Sequence, residues 1–194
     1  MFKINELLKK FILDNLSYEL EQSGFKLKSK NKFFRKIKEC KQEINILFRK
    51  DRGEESGHIQ VYTSVTFDEV EKLIAELLNE EYESGWSTEA TNIGNLQEIS
   101  KFVEWKLDEK TDLNIIKEEI LEKIFKYGMT FFEQYSTMEK VINEYTKNIK
   151  SLNKYSKIRL AALYICNKIE KEGIEVLERL EKQFPNLNLK YGIK

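Results

Sequence analysis

Residues 24–67 read GFKLKSKNKFFRKIKECKQEINILFRKDRGEESGHIQVYTSVTF, and a period of two runs through them. Phe25 and Leu27 alternate with Lys26 and Lys28, and Phe33-Phe34-Arg35-Lys36-Ile37 follows a Lys30-Asn31 turn, a pattern that predicts a hairpin. Ile44, Ile46 and Phe48 mark one face of a third strand, and Ile59, Val61, Thr63, Val65 and Phe67 one face of a fourth. The polar stretch 51–57 between them suits a hairpin loop. Four antiparallel strands in a row are expected.

On the N-terminal side of this block, Ile4, Leu7, Leu8, Phe11, Ile12, Leu16 and Leu20 recur at steps of three and four, predicting an amphipathic helix from Lys3 to Ser23 that Gly24 ends. Its acids, Glu6, Asp14, Glu19 and Glu21, favour packing on a sheet over lying on a membrane. On the C-terminal side, Thr66-x-x-Glu69 has the form of a capping box, followed by Val70, Leu73, Ile74, Leu77 and Leu78 on one helical face. The run 80–85 ends that helix. Residues 86–93 offer a fifth strand, and 102–107 a sixth with Val103, Trp105 and Leu107 inward. Beyond Thr111 the alternation is gone. A helix is expected from Leu113 to Gly128, another opened by a Ser136-x-x-Glu139 capping box and running to Asn148, and a helical hairpin formed by 156–173 and 174–184.

The expected fold is therefore α+β: an N-terminal helix packed on an antiparallel sheet of about six strands, followed by a helical C-terminal part. Residues 1–148 form the α+β domain and residues 149–194 a helical hairpin packed on it. One proline and eight glycines leave little room for linkers, so regular elements must carry most of the 194 residues.

Several function classes lose their entry points. No run approaches the roughly 18 apolar residues of a membrane span, and charges interrupt the N-terminal apolar residues where a signal sequence needs continuity. Cys40 and Cys166 lie far apart and suit neither a disulfide framework nor a metal pair, which fits reduced thiols in a cytoplasm. His58 is the only histidine, so a zinc site or a histidine-based catalytic set lacks its partners; it is read as exposed and without a role. Neither G-x-G-x-x-G nor G-x-x-x-x-G-K-[ST] occurs, nor does G-x-S-x-G. No metal or cofactor is expected, and the chain reads as non-enzymatic.

The charge is balanced in total and uneven in place. Residues 1–50 carry 13 Lys and Arg against 6 Asp and Glu, residues 51–120 carry 6 against 18, and residues 121–194 carry 14 against 9. An acidic middle left uncompensated would steer a basic protein partner, with Glu80, Glu81 and Glu83 as its exposed charges and Trp86 and Arg52, both on loops, as anchors. A competing reading places nucleic acid on a basic sheet face built from Lys26, Lys28, Lys36, Lys38 and Arg49, with Tyr62 as a stacking surface. A third uses Glu104-Trp105-Lys106, an acid and a lysine on one face of a strand, with Glu98 or Glu89 to complete a metal-dependent nuclease; the commonplace alternative is a same-face ion pair. Trp105, Phe131 and Phe132 are expected in the core.

Taken in order, Ser23-Gly24-Phe25-Lys26 after an amphipathic helix, Phe33-Phe34-Arg35, Gln42-x-Ile44-x-Ile46, Trp105-Lys106-Leu107 before a helix, and Thr130-Phe131-Phe132 resemble uncharacterised bacterial α+β domains of unknown function. Some of those domains occur in toxin and immunity settings. The likeness runs over about residues 1–135; the acidic stretch 80–83 and the helices after Asn148 depart from it. It implies the fold and a lean toward protein binding of an immunity-like kind, and it carries over no catalytic residue. The leading expectation is a cytoplasmic protein-binding protein; nucleic-acid binding is the alternative.

Overall fold

The structure is a computed structural model that describes Phe11, residues 16–52 and residues 56–184. The described residues form six strands: β1 (Lys26–Ser29), β2 (Lys32–Ile37), β3 (Cys40–Lys50), β4 (Gly57–Phe67), β5 (Glu89–Asn92) and β6 (Glu104–Leu107). The helices are α1 (Ser17–Gln22), α2 (Asp68–Leu78), α3 (Leu113–Lys123), α4 (Met129–Gln134), α5 (Met138–Lys147), α6 (Lys154–Cys166) and α7 (Glu170–Gln183). The fold is α+β, with an antiparallel sheet in the order β1-β2-β3-β4-β5. β4 is long enough to take a second partner on the same edge, and β6 pairs antiparallel with its first residues, Gly57 opposite Leu107 and Ile59 opposite Trp105. The alternation read from residues 24–67 is thus the sheet's pleat. Among the described residues no helix is long and apolar enough to cross a membrane.

The chain forms two compact units. The first comprises Met1–Ile37, Lys41–Ser64 and Ala90–Glu133; the second comprises Lys38–Cys40, Val65–Glu89 and Gln134–Lys194. Within the first, the inward side chains of consecutive strands, Phe33, Ile44, Ile46, Ile59 and Val61, are fully buried. Burying each is worth about 1.5–3 kcal/mol. The predicted N-terminal helix is seen as α1, with Leu16 and Leu20 buried; most of the stretch before it lies outside the described residues. Gly24 adopts φ +81°, the left-handed conformation that lets the chain leave α1 and enter β1 directly. On the inner face the Phe132 ring lies 5.5 Å from that of Phe25. The Arg35 guanidinium sits over both rings and donates to Gln42 Oε1 at 2.7 Å and to the Ser23 carbonyl at 2.7 Å. Trp105, Phe131 and Phe132 are core residues, as expected.

One helix boundary in this unit differs from expectation. The helix predicted to stop at Gly128 continues: a π turn over Ile124–Gly128 carries α3 into α4 without a break. A single widened turn absorbs the glycine where Gly128 passes close to Ile93 and Thr63.

In the second unit the predicted elements are present, but their punctuation is not. Thr66 does not cap α2: β4 runs on through Phe67, which is the N-cap, and the Thr66 hydroxyl points to the Trp86 carbonyl instead. The next cap falls one residue later than predicted, on Thr137, whose Oγ1 accepts from Lys140 N. The C-terminal hairpin turns at 167–169, where Lys168 takes φ +63°, and Gly173 lies inside α7. A Cβ on Gly173 would stand 2.6 Å from Ile165 Cγ1 and 2.9 Å from the Ala161 carbonyl. The glycine lets α6 and α7 touch; it does not end a helix.

Candidate functional site

In a strand, alternate side chains face opposite ways, so burial of Phe33, Ile44, Ile59 and Trp105 sends the intervening residues to the other face of the sheet. Cross-strand contacts confirm which residues share that outer face. Lys28 Nζ lies 5.0 Å above the Phe34 ring, Lys32 Nζ is 3.0 Å from Glu43 Oε2, and Arg49 NH2 is 3.2 Å from Glu104 Oε1. Gln60 Nε2 donates to Glu104 Oε2 at 2.9 Å. The outer face therefore carries Lys26 and Lys28 on β1, Lys32, Phe34 and Lys36 on β2, Glu43 and Arg49 on β3, Tyr62 on β4, and Glu104 and Lys106 on β6. Lys26, Lys28, Lys36, Arg49 and Lys106 are exposed; Phe34 and Tyr62 are half-exposed. Lys26, Lys28, Arg49 and Tyr62 thus lie on one face of the sheet, spread over β1, β3 and β4. Lys38 is not on a strand; it takes φ +54° in the β2–β3 turn.

At one end of this face lies a cluster that the sequence did not disclose. His58, expected to be exposed, is only 19% exposed and sits between two carboxylates, with Nε2 3.3 Å from Asp51 Oδ2 and Nδ1 3.0 Å from Glu104 Oε1. The second approach is at ion-pair distance but lacks hydrogen-bond alignment. Ser56 Oγ donates to Asp51 at 2.7 Å, and this bond, with His58, Arg49 and Lys106 behind it, holds the Asp51 carboxyl below its usual range. Gln60 does the same for Glu104, with His58 and Arg49 adding to it. The only prior signal was that Asp51 and His58 bracket one hairpin loop. The pairing of β6 with β4, which brings Glu104 to them, joins residues over forty positions apart.

Glu104 and Lys106 share a face as their spacing predicts, but both oxygens of Glu104 already face Arg49, His58 and Gln60. Glu98 is exposed in a loop, and Glu89, in the second unit, accepts a hydrogen bond from the Tyr145 hydroxyl. Among the described residues no group of three or more His, Cys, Asp and Glu side chains is placed to hold a metal ion.

The residues expected to meet a protein partner are divided between the units. Arg52 is exposed in the first. In the second, the Asn79 αL cap (φ +57°) ends α2 and releases Glu80, Glu81 and Glu83, all exposed, into a loop with a half-buried Trp86. The Tyr82 ring meets that of Trp86 edge-on at 6.4 Å, and its hydroxyl donates to Asp68 at 3.2 Å. Burial and then Asp68 push the Tyr82 phenol up.

Other acids of the middle segment have internal partners. Glu71, 1% exposed, accepts from Thr88 Oγ1 at 2.8 Å and lies 3.5 Å from Arg159 Nε. Glu119 accepts from Trp105 Nε1 at 2.8 Å, Asp112 caps α3, and Asp108 accepts from Lys110 N and Thr111 Oγ1. No family model matches the chain, and neither a curated protein nor a solved structure matches it.

Proposed function

We propose that this is a binding protein that takes nucleic acid on the outer face of its sheet. The observation that supports the reading is a set of strand lysines without acidic partners. Among the described residues no carboxylate pairs with Lys26, Lys28 or Lys36, whereas Asp51, Glu71, Glu104 and Glu119 of the acidic middle each have partners within the fold. A set of unpaired lysines on a shared strand face, with Phe34 and Tyr62 among them, is a surface that condenses phosphates and offers rings to bases. The reading is one of binding with no chemical step, in a cytoplasmic setting that accords with Cys40 and Cys166 as free thiols.

The test is titration of a fluorescent mixed-sequence oligonucleotide at several salt concentrations. Binding should weaken linearly in the log–log plot, and the Lys26→Glu/Lys28→Glu variant should bind more weakly with a slope shallower by about 1.4 for two lost phosphate contacts, or more for the reversed charges. Absence of binding at low salt, or binding indifferent to the double reversal, would sink the proposal.

A second reading has its own observation: Glu80, Glu81 and Glu83 are exposed beside Trp86, a pairing of charge and aromatic anchor suited to a basic protein partner of the immunity-like kind. Reversing the three glutamates should then abolish capture of that partner while leaving oligonucleotide titrations unchanged; capture that survives the reversal counts against it.

A further inference from the structure

We infer that the outer sheet face selects single-stranded over double-stranded nucleic acid, by stacking one unpaired base on Phe34 and another on Tyr62; the inference rests on the nucleic-acid reading proposed above. Both rings are half-exposed on the outer side of strands whose inner side chains are buried. Phe34 is on β2 and Tyr62 on β4, with β3 between them. Two strand spacings alone separate the rings by at least roughly 10 Å. That separation is about three times the 3.4 Å rise of stacked bases, so the two rings do not serve neighbouring bases within one continuous stack. They serve a splayed strand whose bases have left the stack.

A duplex keeps its bases inside and shows phosphates outside, so it reaches the lysines of this face and not the rings. A single strand satisfies both. Lys28 Nζ, 5.0 Å over the Phe34 ring, covers the face on which a base would stack, so it must shift aside as the base arrives. Charge then supplies attraction common to any polyanion, and the rings supply the preference between strand forms.

The experiment compares three probes on the full chain: a single-stranded oligonucleotide of about 12 nucleotides, the same oligonucleotide annealed to its complement, and heparin, a polyanion without bases. Phe34→Leu and Tyr62→Leu keep apolar cover while removing the aromatic face, and unfolding curves verify that each variant folds. Each variant should lose roughly 5- to 150-fold in affinity for the single strand. Its salt slope, its duplex binding and its heparin binding should stay unchanged. Duplex bound as tightly as single strand, or single-strand binding indifferent to both leucine variants, overturns the stacking inference while leaving the nucleic-acid reading standing. Failure to bind any of the three probes removes both.

Discussion

The Glu71–Arg159 pair offers a quantitative test of what holds the second unit together. Glu71 projects from the first turn of α2 into the interior, and Arg159 of α6 meets it with Nε 3.5 Å from Oε1 while its NH2 reaches the Ser87 carbonyl at 3.3 Å. Burial pushes the Arg159 guanidinium down, but Glu71, Tyr145 and Glu89 more than reverse it, so the arginine holds its charge more firmly than usual. At 3.5 Å the attraction is about 5 kcal/mol for an effective dielectric near 20, before desolvation is subtracted. Removing one partner of a buried pair typically costs about 3–5 kcal/mol. Two features lower that figure here. The Arg159 side chain is 26% exposed, so solvent already screens part of the field. An orphaned carboxylic acid can also take up a proton, which at neutral pH costs a glutamate about 3.5 kcal/mol and so sets a ceiling. Arg159→Met should therefore lose about 2–3.5 kcal/mol in urea unfolding followed by far-UV circular dichroism. Glu71→Gln keeps an acceptor for Thr88 while deleting the charge, so the double variant should return to within about 1 kcal/mol of the parent. If Arg159→Met costs less than about 1 kcal/mol, or the double variant is no more stable than Arg159→Met alone, the charges are not coupled as argued.

Three further outcomes follow from the same geometry. Gly173→Ala gains about 1 kcal/mol of helix propensity but forces a Cβ against Ile165 and the Ala161 carbonyl, an overpacking cost of about 1–3 kcal/mol, so its urea midpoint should fall; a rise would show that the α6–α7 contact yields freely. Burial holds the Glu89 carboxyl above its ordinary 4.5 despite the Tyr145 hydroxyl and Arg159, which means folding disfavours its ionised form. That penalty is absent below pH 4.5 and grows as pH rises through the raised value, so Glu89→Gln should match the parent in acid and exceed it at neutral pH; urea midpoints across that range showing the opposite trend would refute the assignment. Asn92 takes Gly94 N and Val103 N on Oδ1 and gives Nδ2 to the Val103 carbonyl, so Asn92→Asp, which turns a donor into an acceptor facing that carbonyl, should cost about 1–3 kcal/mol and speed amide exchange at Gly94 and Val103; unchanged exchange would argue otherwise.

Legibility in this sequence followed the range of the interaction. The strands of residues 25–67 could be read because the pleat repeats every two residues and each hairpin joins neighbours. Helix ends were read poorly, since a capping box depends on where the previous element stops. Thr66-x-x-Glu69 has the right letters, but β4 runs on to Phe67, and at Ser136 the cap moves to Thr137. The hairpin's break, expected at 173, falls instead at 167–169 for a related reason. Glycine serves both to end helices and to let them touch, and only the partner, Ile165, tells the two apart. The candidate site divides the same way. Lys26, Lys28, Arg49 and Tyr62 follow from alternation alone, whereas the enclosure of His58 between Asp51 and Glu104 needs the pairing of β6 with β4.

The charge pattern shows why a segment's net charge is a poor guide to a surface. Along the chain the conspicuous feature is the acidic middle, 18 acids against 6 bases over residues 51–120. In the fold several of those acids take on tasks: Asp112 caps a helix, Glu119 receives an indole N–H, Asp51 and Glu104 enclose His58, and Glu71 meets an arginine from α6. A carboxylate accepts hydrogen bonds only, and backbone N–H groups, hydroxyls and indoles all need acceptors, so acids are readily drawn into a fold. A lysine on the outer side of a strand has three donors and points away from its own backbone carbonyls, so it stays in solvent unless a carboxylate stands opposite. Glu43 stands within reach of Lys32; among the described residues nothing comparable reaches Lys26, Lys28 or Lys36. Part of the acidic segment's charge is thus taken up within the fold, while Glu80, Glu81 and Glu83 stay exposed, and the strand lysines keep theirs open because, among the described residues, no acid stands opposite them.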